Sequence, residues 1–147
     1  MWFFEIEYKR AKSYSLYLLA RKSYHSKDLK EKLLQKNLSK KAVEKTILFL
    51  QKIKYLDDMD FIKRAIEKEH RKGYGQKYIF LKLSKKGLFL SSFESTYSSL
   101  ISDDMEQEMI KKLLKKKKSL DFKKKANFFL RRGFEYQKIK ELIEKET

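Results

Sequence analysis

Residues 129–134 read Phe129-Leu130-Arg131-Arg132-Gly133-Phe134, a large apolar residue, cations, a glycine and another large apolar residue. This is the chemistry of a helix stop. Glycine tolerates the left-handed conformation needed just past a helix end. The cations suit the negative end of the helix dipole. In a Schellman motif the residue after the glycine packs on the residue five positions back, here Phe134 on Phe129.

The pattern recurs upstream. Residues 83–88 read Leu83-Ser84-Lys85-Lys86-Gly87-Leu88, and residues 33–38 read Leu33-Leu34-Gln35-Lys36-Asn37-Leu38, with Asn in the glycine's place. One match is common by chance, whereas three are not. The left-handed positions lie 50 and 46 residues apart, a period that signals a repeated supersecondary unit with room for three helices.

Helices are predicted outward from these stops. In the first unit, a helix near Lys12–Arg21 carries Leu16, Leu19 and Ala20. Ser26 caps a second helix with Leu29 and Leu33, and Ser39 a third with Val43, Ile47, Leu50 and Ile53. The second unit opens at Asp57-Asp58, acids that suit a helix N-terminus, and Phe61, Ile62, Ala65 and Ile66 form its first face. Gly73-Tyr74-Gly75 is a break. Ile79 and Leu83 mark the next helix, and Ser91 with Glu94 resembles a capping box for a Ser-rich helix over 91–101. The third unit opens at Asp103-Asp104, with Met109, Ile110, Leu113 and Leu114. Asp121 starts a helix with Phe122, Phe128 and Phe129, and the last helix runs from about Glu135 with Ile139, Leu142 and Ile143.

The predicted fold is all-α: an aromatic segment over 1–11, then three-helix repeats over 12–56, 57–102 and 103–147. Units this small bury little surface alone, so an elongated, slightly curved array with shared interfaces is expected. The composition agrees. The 147 residues contain no Pro, only 4 Gly and a single valine, Val43, too little for a turn-rich β fold.

The net charge of +17 favours a polyanion or an acidic surface. The alternative is a Lys-rich surface that is merely solvated, because the cations are mostly Lys. No Cys is present, which excludes disulfides, zinc–thiolate sites and thiol chemistry and fits a reducing cytoplasm. No apolar run approaches the roughly 20 residues of a membrane span, and the charged start is no signal peptide. A cytosolic protein is expected.

Catalytic chemistry finds no support. The clusters Asp57, Asp58, Asp60 and Asp103, Asp104 fall where helices begin and read as caps rather than as Mg²⁺ ligands. His25 and His70 lack partners at coherent spacing. Gly73-Tyr74-Gly75 lacks the full phosphate-loop pattern and a preceding strand. No catalytic residue, metal or cofactor is expected, and the protein is read as a non-enzyme. The basic runs remain. Lys115, Lys116, Lys117 and Lys118 with Lys123, Lys124 and Lys125 gather at one junction. Arg71, Lys72, Lys77, Lys82 and Lys86 gather about the glycine turn and the helix after it, and Arg131-Arg132 close the third unit's equivalent helix. Lysines position a protein on phosphate without reading bases, which disfavours a sequence-specific repressor.

Four segments also resemble one family in its own order. They are Leu18-Leu19-Ala20-Arg21 with His25-Ser26, Leu29 and Lys32-Leu33; Tyr55-Leu56-Asp57-Asp58 with Phe61; Lys72-Gly73-Tyr74-Gly75 with Ile79, Leu83 and Lys86-Gly87-Leu88; and Phe129 to Phe134 with Tyr136 and Ile139. Over residues 12–145 the chain resembles the RecX regulators. The resemblance implies three tandem three-helix repeats lying in the groove of the RecA–DNA filament. It also implies inhibition of RecA's ATPase, strand-exchange and coprotease activities, and with it regulation of recombination, DNA repair and the SOS response. The expected partners are RecA on single-stranded DNA and, weakly and salt-dependently, bare DNA, bound by a monomer with no membrane contact. A stand-alone, non-sequence-specific nucleic-acid-binding helical protein is the alternative. Lys82 stands where the family often has an acid, and Trp2–Tyr8 has no family counterpart.

Overall fold

The structure, a computed structural model, describes residues 2–88 and 90–146. Among them every regular element is a helix: α1 Trp2–Arg21, α2 Ser26–Leu34, α3 Lys40–Lys52, α4 Asp58–Arg71, α5 Gln76–Lys85, α6 Phe93–Leu100, α7 Asp103–Lys115, α8 Phe122–Arg131 and α9 Tyr136–Glu146. The chain divides into two compact units, Met1–Phe61 and Ile62–Thr147.

The helix stops form as their chemistry requires. Asn37, Gly87 and Gly133 have φ of 58°, 79° and 88°. At α5 and α8 the full Schellman pair closes. Leu88 N–H donates to Leu83 C=O at 3.0 Å and Phe134 N–H to Phe129 C=O at 3.2 Å, beside Gly87 to Ser84 and Gly133 to Leu130. Two further stops lie outside the tripled pattern. Gly73 (φ 92°) ends α4, with Tyr74 N–H on Glu69 C=O at 3.1 Å. Lys54 (φ 62°) ends α3, with Tyr55 and Leu56 N–H both on Leu50 C=O. A lysine gives no sequence signal of a left-handed turn. Burial of Leu56 holds this one.

The caps are mostly short side chains. Ser39, Ser102 and Asp121 accept the N–H groups of Ala42, Met105 and Lys124, and Asp57 accepts that of Asp60. Two expected caps are corrected. His25, not Ser26, caps α2, its Nδ1 accepting Asp28 N–H at 3.2 Å. Ser26 is already helical, and its N–H and hydroxyl donate to the Asp58 carboxylate. No Ser91–Glu94 capping box forms either. α6 starts two residues later, at Phe93, because burial of Phe93 and Tyr97 sets its register.

The first unit is built on α1, which packs along α3 and α2. Its core joins Ala11 and Leu18 to Leu29, Leu33, Val43, Leu50 and Leu56. The expected face of α1 is off by about a third of a turn: Leu19 packs against the core as expected, but Leu16 and Ala20 are exposed, and Ala11, Ser15 and Leu18 are buried. The helix also begins ten residues earlier than expected, so Trp2–Tyr8 is helical. The α3 ammonium groups of Lys41 and Lys45 lie 5.2 Å over the Phe4 ring, Lys45 lies 4.5 Å over Tyr8, and Glu7 accepts Ser39 N–H at 2.6 Å. These contacts pin the first turns of α1 to α3.

In the second unit, α7–α9 enclose Ile110, Leu114, Phe129, Phe134, Ile139, Leu142 and Ile143. Ile62, Ile66, Ile79, Leu83, Phe93 and Tyr97 are the buried apolar residues of α4–α6. Phe122, placed on α8 with Phe128 and Phe129, is 41% exposed, whereas Phe129 is buried.

Candidate polyanion-binding surface

The glycine turn after α4 and the turn after α8 dock on one another within the second unit. Gly75 N–H donates to Arg132 C=O at 2.6 Å and Lys77 N–H to Gly133 C=O at 3.2 Å. The backbones approach so closely that a Cβ on Gly75 would lie 2.7 Å from the Gly133 carbonyl oxygen. Glycine is required at 75 for this approach, since its backbone is extended with φ of −98°, and at 133 the left-handed φ of 88° adds a conformational reason.

This junction gathers four of the candidate cations. The Arg132 guanidinium donates to Lys72 C=O at 3.1 Å, and it lies 4.7 Å over the Tyr74 ring and 5.0 Å over Phe128. Tyr74 stacks on Tyr78 at 3.9 Å with planes 12° apart. Lys117 Nζ sits 4.8 Å over Phe128. Beside them Lys82 and Lys72 donate to one oxygen of buried Glu69, at 2.8 and 3.4 Å. Burial alone would raise the Glu69 pKa, but the two ammonium groups hold it below its ordinary value, and the same pairing raises that of Lys82. Two cations thus answer one carboxylate, and the cluster stays positive.

The other candidates stay at the surface. Arg71, Lys77, Lys86 and Arg131 are exposed, as are Lys115, Lys116, Lys118, Lys123 and Lys124, while Lys125 is half-buried. Lys117 alone of its run joins the Arg132 cluster.

A cleft of about 1190 Å³ opens beside the junction, walled by Phe80, Phe93, Leu130, Phe134 and Tyr136. Buried Glu106 forms part of its lining, accepting Tyr97 O–H at 2.7 Å and Lys138 Nζ at 2.9 Å, and Lys138 also meets Asp103 at 3.0 Å. Glu69 and Glu106 went unread in the sequence, yet each stands on an apolar stripe, Glu69 in register with Ile62 and Ile66, Glu106 with Ile110 and Leu114. A carboxylate on such a stripe signals a buried ion pair. Among the described residues no group of three His, Cys, Asp or Glu could hold a metal, and no helix is long and apolar enough to cross a membrane.

His70 neighbours Glu69 on α4 and is buried, with Nδ1 unpartnered among the described residues. Burial lowers its pKa below 6.5, against the opposing pull of the Glu106 carboxylate. The folded protein therefore binds this proton less readily than the unfolded chain. The stability involved is complete above about pH 6.5 and is lost as pH falls through the folded-state pKa. Glu69, lowered from 4.5, adds a second loss at lower pH. Thermal midpoints by circular dichroism should fall from about pH 6.5 downward, and His70→Gln should remove the upper part of that decline. An unchanged profile in the variant would refute the assignment.

The comparisons with known proteins agree with the fold. No family model matches the chain. The regulatory protein RecX of Pelodictyon phaeoclathratiforme is 32% identical over 138 residues, which cover 90% of this chain and 86% of the relative. That of Caldanaerobacter subterraneus subsp. tengcongensis is 27% identical over 140 residues, covering 94% and 71%. The crystal structure of RecX from Lactobacillus salivarius superposes with a TM-score of 0.80 at 20% identity, covering 96% of this chain and 97% of that one. A second RecX crystal structure gives 0.80 at 16% identity. With that helical architecture and a relative this similar over nearly its whole length, the chain belongs to the RecX family of regulatory proteins.

Proposed function

We propose that the protein is a cytoplasmic, non-catalytic regulator that binds the RecA filament on single-stranded DNA and inhibits its ATPase, strand-exchange and coprotease activities, restraining recombination and the SOS response. The observation that carries this reading is the relationship to proteins named RecX over about nine-tenths of the chain. The filament-facing surface is assigned to the second unit: Arg71, Lys72, Lys77, Lys82 and Lys86 around the docked turns, Arg131 and Arg132 at the end of α8, and Lys115–Lys118 with Lys123–Lys125 at the α7–α8 turn. The net charge of +17 favours the same partner, a groove lined with nucleic acid as well as protein.

The test is a pull-down with RecA assembled on single-stranded DNA, against free RecA and DNA alone, with ATP hydrolysis followed on preformed filaments. Retention by the filament and slowed hydrolysis are expected. Unchanged hydrolysis under a large excess of protein refutes the reading, and equal retention by bare DNA favours a stand-alone nucleic-acid-binding protein. Each phosphate neutralised contributes about −0.7 to the slope of log affinity against log salt on single strands. Changing Lys115–Lys118 to Gln should flatten that slope without unfolding the protein. The same number of changes at Lys27, Lys30, Lys40 and Lys41 should weaken binding less. Equal losses would mean that the charge acts only as a diffuse field.

A further inference from the structure

The outer arc of α1 is unlike an ordinary solvated helix face. Turned away from buried Ala11, Ser15 and Leu18 stand Trp2 and Tyr17, 69% and 55% exposed, with Phe3, 73% exposed, at the flank beside them. Lys9, Arg10 and Arg21 are exposed among and beyond these rings. Of the helix's two carboxylates, Glu7 accepts Ser39 N–H on the side of α3, and Glu5 is exposed one turn from Trp2 and Lys9, so the cations Lys9, Arg10 and Arg21 outnumber the one carboxylate on the arc. Along the helix axis the order is aromatic, cation, aromatic, cation. At 1.5 Å per residue, the rings near residue 2 and residue 17 are about 20 Å apart with cations midway.

A second observation lies alongside. A hollow of about 650 Å³ opens next to this arc, with Ile6, Tyr14 and Leu38 as its apolar lining and Lys9, Arg10 and Lys36 as its charged groups. Among the described residues no carboxylate lines it. Lys36 Nζ lies 5.0 Å over the Tyr14 ring, and Tyr14 stacks on Tyr17 at 6.3 Å with planes 18° apart. The stacked pair therefore leads from the hollow onto the exposed arc.

We infer that α1 and this hollow form a binding surface for single-stranded DNA, with bases stacked on Trp2, Phe3 and Tyr17, one base seated over Tyr14, and phosphates met by Lys9, Arg10 and Lys36. Rings supply sequence-tolerant stacking and cations track the backbone, the combination by which proteins hold single strands. Charge complementarity selects an anionic partner. The flat rings with cations between them suit a strand better than a bilayer, because Lys9, Arg10 and Ser13 interrupt the apolar surface between Ile6 and Leu16. The surface belongs to the first unit and needs no RecA, so it stands or falls apart from the filament reading.

The experiment uses the chain's one tryptophan, Trp2, as the reporter. The full-length protein is titrated at low salt with a thymidine oligonucleotide about a dozen nucleotides long, without RecA. Saturable quenching of Trp2 emission without a blue shift is expected. Tyr17→Ala, an exposed position, should weaken oligonucleotide binding about tenfold or more, read by anisotropy of a labelled strand. Changing Lys9, Arg10 and Lys36 to Gln should flatten the salt slope by about 2. The same change at exposed Lys27, Lys32 and Lys52 should flatten it much less. Unquenched emission under saturating oligonucleotide, or equal effects of the two triple variants, overturns the proposal. So does a blue shift with anionic vesicles in place of the quenching, which would mark a membrane face, or a signal that follows protein concentration alone, which would mark self-association.

Discussion

Gly133→Ala should destabilise the protein by roughly 3 kcal/mol and lower its thermal midpoint by about 6–12 °C. Two costs add at this one position. The left-handed φ of 88° costs an L side chain on the order of 1–2 kcal/mol. The new methyl would also collide with the backbone nitrogen of Tyr78 and lie 2.7 Å from its Cβ. Backbone cannot step aside as a flexible side chain can, so the docked turns must separate. Two companion variants isolate the terms. Asn37→Ala meets only the conformational cost, about 1 kcal/mol at φ 58°. Gly73→Ala shares the left-handed cost, and its methyl would meet the soft ends of Leu113 and Arg132 at 3.2 Å, so it falls between. Circular dichroism melts of the three variants should rank in that order. If Gly133→Ala melts like Asn37→Ala, the turns do not dock as described.

That ranking also marks what the sequence discloses. The stops at Asn37, Gly87 and Gly133 were legible because three local terms coincide there: a residue that tolerates positive φ, a cation before it, and an apolar pair five apart. The docking of Gly75 on Gly133 was not legible, since it joins residues 58 positions apart and leaves no local trace beyond the glycines themselves. The face of α1 was misread for a physical reason. Leu19 stands between Leu16 and Ala20 on one side and Ala11, Ser15 and Leu18 on the other, so an apolar stripe through Leu19 can be drawn toward either, and the core takes Leu19 with the second set. Only packing against α3 decides between them. The side left exposed also carries the Trp2 and Tyr17 rings that are proposed to bind DNA. For the basic candidates, density along the chain named Lys72, Lys82, Lys117 and Arg132 among others, and these four gather at the docked turns. It could not reveal that Lys72 and Lys82 share Glu69, or that Arg132 is spread over two rings.

The second large effect is expected at Lys138. Lys138→Met keeps the length of the side chain and removes its charge, leaving the Glu106 carboxylate buried with Tyr97 as its one remaining donor among the described residues. Breaking a buried pair from one side costs about 3–5 kcal/mol. The Lys138 side chain is 36% exposed, and water screening brings the expected loss to about 2–3 kcal/mol. Glu106→Gln added to Lys138→Met removes the orphaned charge while keeping an acceptor for the Tyr97 hydroxyl. The double variant should recover much of the loss. The alkaline limb gives an independent check. Burial alone would lower the Lys138 pKa, but its bonds to Glu106 and Asp103 outweigh that, and the value is pushed up to about 12 from 10.5. The folded protein thus holds this proton more tightly than the unfolded chain. The stability it contributes is complete below about pH 10.5 and is lost as pH rises through 12. Tyr97, its pKa raised by burial and by Glu106, keeps its proton across that range and remains a donor. Denaturation midpoints between pH 9 and 12 should therefore fall more steeply in the parent than in Lys138→Met. Parallel curves, or a double variant no more stable than the single one, would show that Glu106 does not depend on Lys138 for its charge.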